Sequence, residues 1–190
     1  METFSDGVLA IMITIMVLEL KVPRGASFTN LETDLPVFLG YVLSFIYIGI
    51  YWTNHHHHLL MMVDTVNGQI LWANLHLLFW LSLIPASTAW ADEHPLTTAP
   101  ACVYVIILLM CSVAYIVLQN LIIHLQGRES QLAKTLGKDY KGKVSMVGYA
   151  VAACVAFIQS IASYAIYVLV ALLWIIPDIR IEKAIYSAEE

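Results

Sequence analysis

Four consecutive histidines, His55-His56-His57-His58, invite metal ligation. Successive helical residues are turned about 100° apart, so four in a row cannot converge on one ion from a regular helix. Only His55 and His58 share a face, and no Cys or carboxylate pair with ligand spacing accompanies them. We expect a surface run at the end of an apolar segment, able to confer pH sensitivity because histidine titrates near ~6.5. His76 and His124 lie in apolar runs and, with His55, would be haem ligands in a helical bundle. A lone membrane histidine is more often hydrogen-bonded to a neighbouring helix, so no cofactor is expected. Val147-Gly148-Tyr149 resembles a fragment of a carbonyl-lined ion filter, but no Thr precedes it and Ala150 follows it. It also opens a helix after a basic loop, where a filter needs a re-entrant loop. No Ser/His/Asp constellation, paired intramembrane carboxylates or phosphate-cradling glycine loop occurs, so the chain is not expected to be an enzyme. No segment carries Arg at every third position, which excludes a voltage sensor.

The first apolar segment is the unusual one. It starts with Ser5, Asp6 and Gly7, carries Thr14 at mid-length and ends near Glu19. A carboxylate at mid-membrane costs roughly 2.5–3.5 kcal/mol on insertion scales, so Asp6 and Glu19 belong at interfaces or facing water. One account of Thr3-Phe4-Ser5-Asp6 is a capping-box-like helix start with Asp6 near the positive helix end. Gly7, Ile11, Thr14 and Leu18 repeat at four, three and four residues and share one face, with Ile15 beside them. This stripe reads in two ways. It is a helix-packing seam with a back-bonded Thr, or it is a narrow pore wall. Copies around an axis would then stack aliphatic rings that close by dewetting, with a hydroxyl layer between them.

The elements that position these residues follow from composition. The chain has 190 residues, 60% hydrophobic and only 12% charged, where a soluble domain is about 25% charged. That excludes a soluble globular domain and a disordered chain. Net charge −5 leaves no basic footprint for nucleic acid. Long runs without Asp, Glu, Lys or Arg place six membrane helices at about 4–22, 35–54, 66–86, 97–124, 143–158 and 161–178, forming one domain over residues 1–190. The last two come from splitting one apolar run near Gln159-Ser160; a single long tilted helix is the alternative. Continuous apolar runs without period-2 alternation exclude a β-barrel. Arg128, Lys134, Lys138, Lys141, Lys143, Arg180 and Lys183 fall on one side of such a topology and Lys21 and Arg24 on the other. Seven cations against two place both termini in the cytoplasm of a multi-pass cell-membrane protein. Residues 125–143 read as a cytoplasmic connector with room for one short interfacial helix. The opposite loops hold Glu19, Glu32, Asp34, Asp92 and Glu93, either ordinary solvated loops or a cation-concentrating surface. Cys102, Cys111 and Cys154 are odd in number and lie in apolar runs, as buried packing residues would.

Phe4-Ser5-Asp6-Gly7-Val8-Leu9-Ala10-Ile11, then Thr14 and Val17-Leu18-Glu19-Leu20, resembles the first-helix signature of the transmembrane protein 175 family of potassium channels. Ser44-Phe45, Trp52 and His55-His56 are similar to the family's second-helix ending. Asn74 and Leu83-Ile84-Pro85 with Ser87-Thr88 are similar to its third helix, and Trp174 to Arg180 to its close. The family has an Arg four residues before the Phe, whereas Phe4 is preceded here by Met1, Glu2 and Thr3; either the start is truncated or the Arg is absent, which puts any gating role for it in doubt.

The resemblance implies an all-α, six-transmembrane-helix subunit in a homotetramer whose pore is lined by the first helix. It implies Ile11 as the hydrophobic constriction, with Thr14, Ile15 and Leu18 also facing the pore. It implies that Ser5 and Asp6 join a polar network, for which Trp52, His55 and Asn74 are the candidates, with Phe4 and Gly7 as packing and gating support. The function implied is a potassium-preferring cation channel that needs only its permeant K+ ions, the lipid bilayer and copies of itself. A secondary transporter or proton-coupled carrier of similar topology is the alternative. Against it, the two halves show no internal repeat and Pro85 lies near a helix end.

Overall fold

The computed structural model describes residues 1–20, 22–23, 25–56, 63, 66–127, 130, 133 and 139–175. Among these, seven helical segments follow one another: α1 (Glu2–Leu18), α2 (Phe28–Asn54), α3 (Gly68–Ser82), α4 (Ile84–Glu93), α5 (Thr98–Gln126), α6 (Tyr140–Ala156) and α7 (Ser160–Ile175). Most of the cations used for orientation (Lys21, Arg24, Arg128, Lys134, Lys138, Arg180 and Lys183) lie outside the described residues, as do His57, His58, Ile176 to Arg180 and most of the connector before α6.

Local chemistry sets the helix ends. The side chain of Asn67 accepts from the Ile70 N–H at 3.0 Å and caps α3. Asp139 does the same for α6, accepting from Gly142 N–H at 2.9 Å. The Asp139 carboxylate occupies the space a Gly142 side chain would need, so a larger residue there would displace the cap. α5 stops at Gly127, whose φ of 89° is a left-handed conformation that glycine adopts without strain. α3 and α4 meet at Leu83, two residues before Pro85, which has no N–H to donate to the preceding turn. Pro85 fits the first turn of a helix, so α4 begins at once and the helical path runs on to Glu93, seven residues past the expected end. α2 also starts seven residues before the apolar run, because charge does not end a helix and Leu31 and Glu32 are good helix formers. The chain turns at residues 157–159, between α6 and α7.

α5 is the centre of the bundle. Its Val105, Leu108, Cys111, Ala114, Leu118 and Ile122 are fully buried, with α3, α4, α6 and α7 packed around them. Asp34–Asn54, Gly68–Glu93 and Thr98–Gln126 are long and apolar enough to cross a membrane. α1 and α6 have 17 residues and α7 has 16. Lipid is as apolar as the side chains, so association rests on packing and interhelical hydrogen bonds. One such chain is buried. Thr88 Oγ1 donates to the Ile84 carbonyl at 2.8 Å, so Ser44 Oγ donates to Thr88 at 2.7 Å and Tyr104 OH to Ser44 at 2.9 Å. It ties α2, α4 and α5 together. Cys102 and Cys111 are buried, but Cys154 is exposed on the outer face of α6, contrary to expectation; an apolar run marks membrane depth, not which face is inward.

Val147-Gly148-Tyr149 lies within α6. A Cβ on Gly148 would sit 2.9 Å from Val170 Cγ2, so this glycine is a close-approach point between α6 and α7. Gly148→Val is expected to destabilise the protein by about 1–3 kcal/mol through overpacking. Thermal denaturation in detergent checks it, and Val170→Ala in the same chain should recover most of the loss.

Candidate functional site

α1 lies at the edge of the bundle, against α2, α3 and α4 on one side only. Ser5, Leu9, Met12 and Met16 form its inward face. They recur at three- to four-residue spacing, so the helix has one anchored side and one side without a partner in the subunit. The outward side carries the expected stripe. Ile11 is 58% exposed, Ile15 44% and Leu18 82%, and Gly7 and Thr14 are exposed with them. A Cβ on Gly7 would meet nothing within 4 Å, and Phe4 is also exposed. Thr14 Oγ1 donates to the Ile11 carbonyl at 2.8 Å, which leaves its oxygen lone pairs directed outward from a fixed rotamer.

The inward face begins in a polar network. Asn74 Nδ2 donates to Ser5 Oγ at 3.0 Å, and Ser5 Oγ donates to the Met1 carbonyl at 3.2 Å. The amide nitrogen of Asn74 being committed, its oxygen meets His55 Nε2 at 2.6 Å, and the imidazole must donate from that nitrogen. Trp52 Nε1 donates to Asp6 Oδ1 at 3.0 Å. Ser5, His55 and Asn74 are almost completely buried. Burial holds His55 below the usual histidine range, opposed by the Asn74 hydrogen bond and the nearby Asp6 charge. The neutral imidazole is the form that fits between Asn74 and the bundle.

Two expectations need correction here. α1 starts at Glu2 behind Met1, and no side chain caps it, so Ser5 and Asp6 are not a capping box. Asn74 and Trp52, from other helices, claim their polar atoms instead. His55 is not a surface residue either; it is 1% exposed, because α2 turns its end into the bundle. His56 Nδ1 lies 3.3 Å from Glu2 Oε1, and its ring stacks on Trp52. Glu2 escaped notice as a partner because it is 54 positions away from His56 and no periodic pattern links them. His76 Nε2 accepts from Trp80 Nε1 at 2.9 Å on the outer face of α3.

At the other end of α1, Glu19, Asp34, Asp92 and Glu93 line one groove of about 640 Å³ with Leu35 and Phe38. The acidic loops thus converge, with the Asp92 carboxylate seated over Gly40, where any larger side chain would displace it.

Residues 1–85 match the family described as Endosomal/lysosomal potassium channel TMEM175. A protein of Chryseobacterium sp. (strain P1-3) named as a potassium channel is 50% identical over 185 residues, covering 97% of this chain and 96% of that one. A named potassium channel of Chamaesiphon minutus is 33% identical over 123 residues, 60% of each chain. The crystal structure of a lysosomal potassium-selective channel TMEM175 homolog from Chamaesiphon minutus superposes with a TM-score of 0.77 at 28% identity, covering 91% of this chain and 93% of that one. With its helices arranged as in that channel and half its residues shared with a relative of the same length, the chain belongs to the TMEM175 potassium channel family.

Proposed function

We propose that the chain forms a homotetrameric, potassium-preferring cation channel, with α1 of each subunit around the axis and both termini in the cytoplasm. The observation that carries this is the division of α1 into an anchored face and a free face. Met12 and Met16 are 3% exposed, while Ile11, one residue before Met12, and Leu18, two residues after Met16, are 58% and 82% exposed in the single subunit. Four copies of that free face would enclose a path narrowed by Ile11, thickened by Ile15 and Leu18, and interrupted by the outward-facing Thr14 oxygens. Those oxygens would replace part of a cation's hydration shell. The acidic groove beyond Glu19 would raise the local cation concentration at the entrance. Six membrane passes follow if α1, α6 and α7 span with the three longer helices. At 17 residues α1 is about 25 Å long, close to the hydrocarbon thickness.

The names of the relatives support potassium as the ion carried. The test is a planar-bilayer recording of the purified full chain in potassium gradients, together with a particle image. Unitary picoampere currents and fourfold symmetry with α1 nearest the axis are expected. Coupled flux without unitary events, or α1 facing lipid, would overturn the proposal.

A further inference from the structure

We propose that Glu2, Asp6 and His56 form a three-ligand site for a divalent transition metal of the zinc class, bridging the start of α1 to the end of α2. The two carboxylates and the imidazole each offer one ligand atom, and these atoms all lie within 4.8 Å of one another. The His56 Nδ1 to Glu2 Oε1 distance of 3.3 Å matches the edge of a tetrahedron with metal–ligand bonds of about 2.0–2.1 Å. At the end of α2 His55 points inward to Asn74, while the adjacent His56 lies over the start of α1.

The surroundings hold the ligands in place. Trp52 donates its indole N–H to Asp6 Oδ1 at 3.0 Å, which fixes the carboxylate and leaves its second oxygen for a metal. The same indole stacks on the His56 ring, with centroids 5.8 Å apart and an interplanar angle of 24°. One residue thus orients two of the three ligands. Glu2 is exposed and the other two are partly exposed, so ions have access and a water would complete four-coordination. An imidazole ligand favours zinc-class ions over calcium or magnesium, which take all-oxygen shells. The two carboxylates balance the charge of a dication. The site stands whichever way the outward face of α1 points.

The experiment is equilibrium dialysis of the full-length protein, freed of any purification tag, against micromolar Zn2+. One zinc per chain is expected, with affinity at least about tenfold weaker in Glu2→Gln and in His56→Gln, and with Ca2+ unable to compete. Size-exclusion elution confirms that both variants remain assembled. Zinc-edge absorption spectroscopy of the unaltered protein should show one histidine nitrogen and carboxylate oxygens. Absence of stoichiometric zinc, unchanged affinity in either variant, equal competition by Ca2+, or a shell of two or more histidines would each overturn the site.

Discussion

Ile11→Asn is expected to raise basal potassium flux through reconstituted channels by at least about tenfold. An aliphatic ring closes a narrow path because water inside it loses hydrogen bonds without compensation. In the proposed tetramer, four carboxamides at the same level would supply donors and acceptors to that water. A tenfold change in rate needs only about 1.4 kcal/mol, and hydrating a ring of four polar groups exceeds it. Ile11 is on the free face of α1, so its replacement disturbs no contact of the inward face. Ile11→Leu keeps the apolar volume and should leave flux near its starting value. The measurement is potassium-driven flux from proteoliposomes matched for protein content. Equal flux in Ile11→Asn and the parent chain would remove Ile11 from the gate.

Asn74→Leu should lower the melting temperature by about 5–10 °C. Asn74 is 2% exposed and is the only residue that touches both Ser5 and His55 among the described hydrogen bonds. Leucine matches its volume roughly but leaves a buried imidazole N–H and a hydroxyl oxygen without their partner. Each stranded group costs about 1–1.5 kcal/mol, and a kilocalorie moves the midpoint of a chain this size by about 2–4 °C. Trp52→Phe removes one hydrogen bond at a partly exposed carboxylate, so a smaller shift is expected. Fluorescence-monitored unfolding in one detergent ranks the two. If Trp52→Phe proves the more damaging, the buried relay from His55 to Ser5 is not the main anchor of α1.

Much of the site was legible because it is written in helical phase. Gly7, Ile11, Thr14 and Leu18 share a face in any regular helix, so their grouping needed no coordinates. The membership of Ser5, Asp6, Trp52, His55 and Asn74 in one polar network was implied by the family resemblance; the described hydrogen bonds place them in two separate groups, Trp52–Asp6 and His55–Asn74–Ser5. Composition likewise marked the apolar segments, because a chain with 12% charged residues has few places to put them.

Other features depend on which helix lies beside which. Phase says that one face of α1 differs from the other; only packing against α2, α3 and α4 decides that Leu9, Met12 and Met16 go inward and the stripe outward. Cys154 and Cys102 sit in equally apolar runs, yet one is exposed and the other buried, since hydropathy records depth and not direction. Glu2 and His56 meet because the start of α1 packs beside the end of α2. Local sequence determines the period of a helix and therefore its faces. The partners of each face are set by contacts between residues far apart in the chain, which exist only once the bundle has closed.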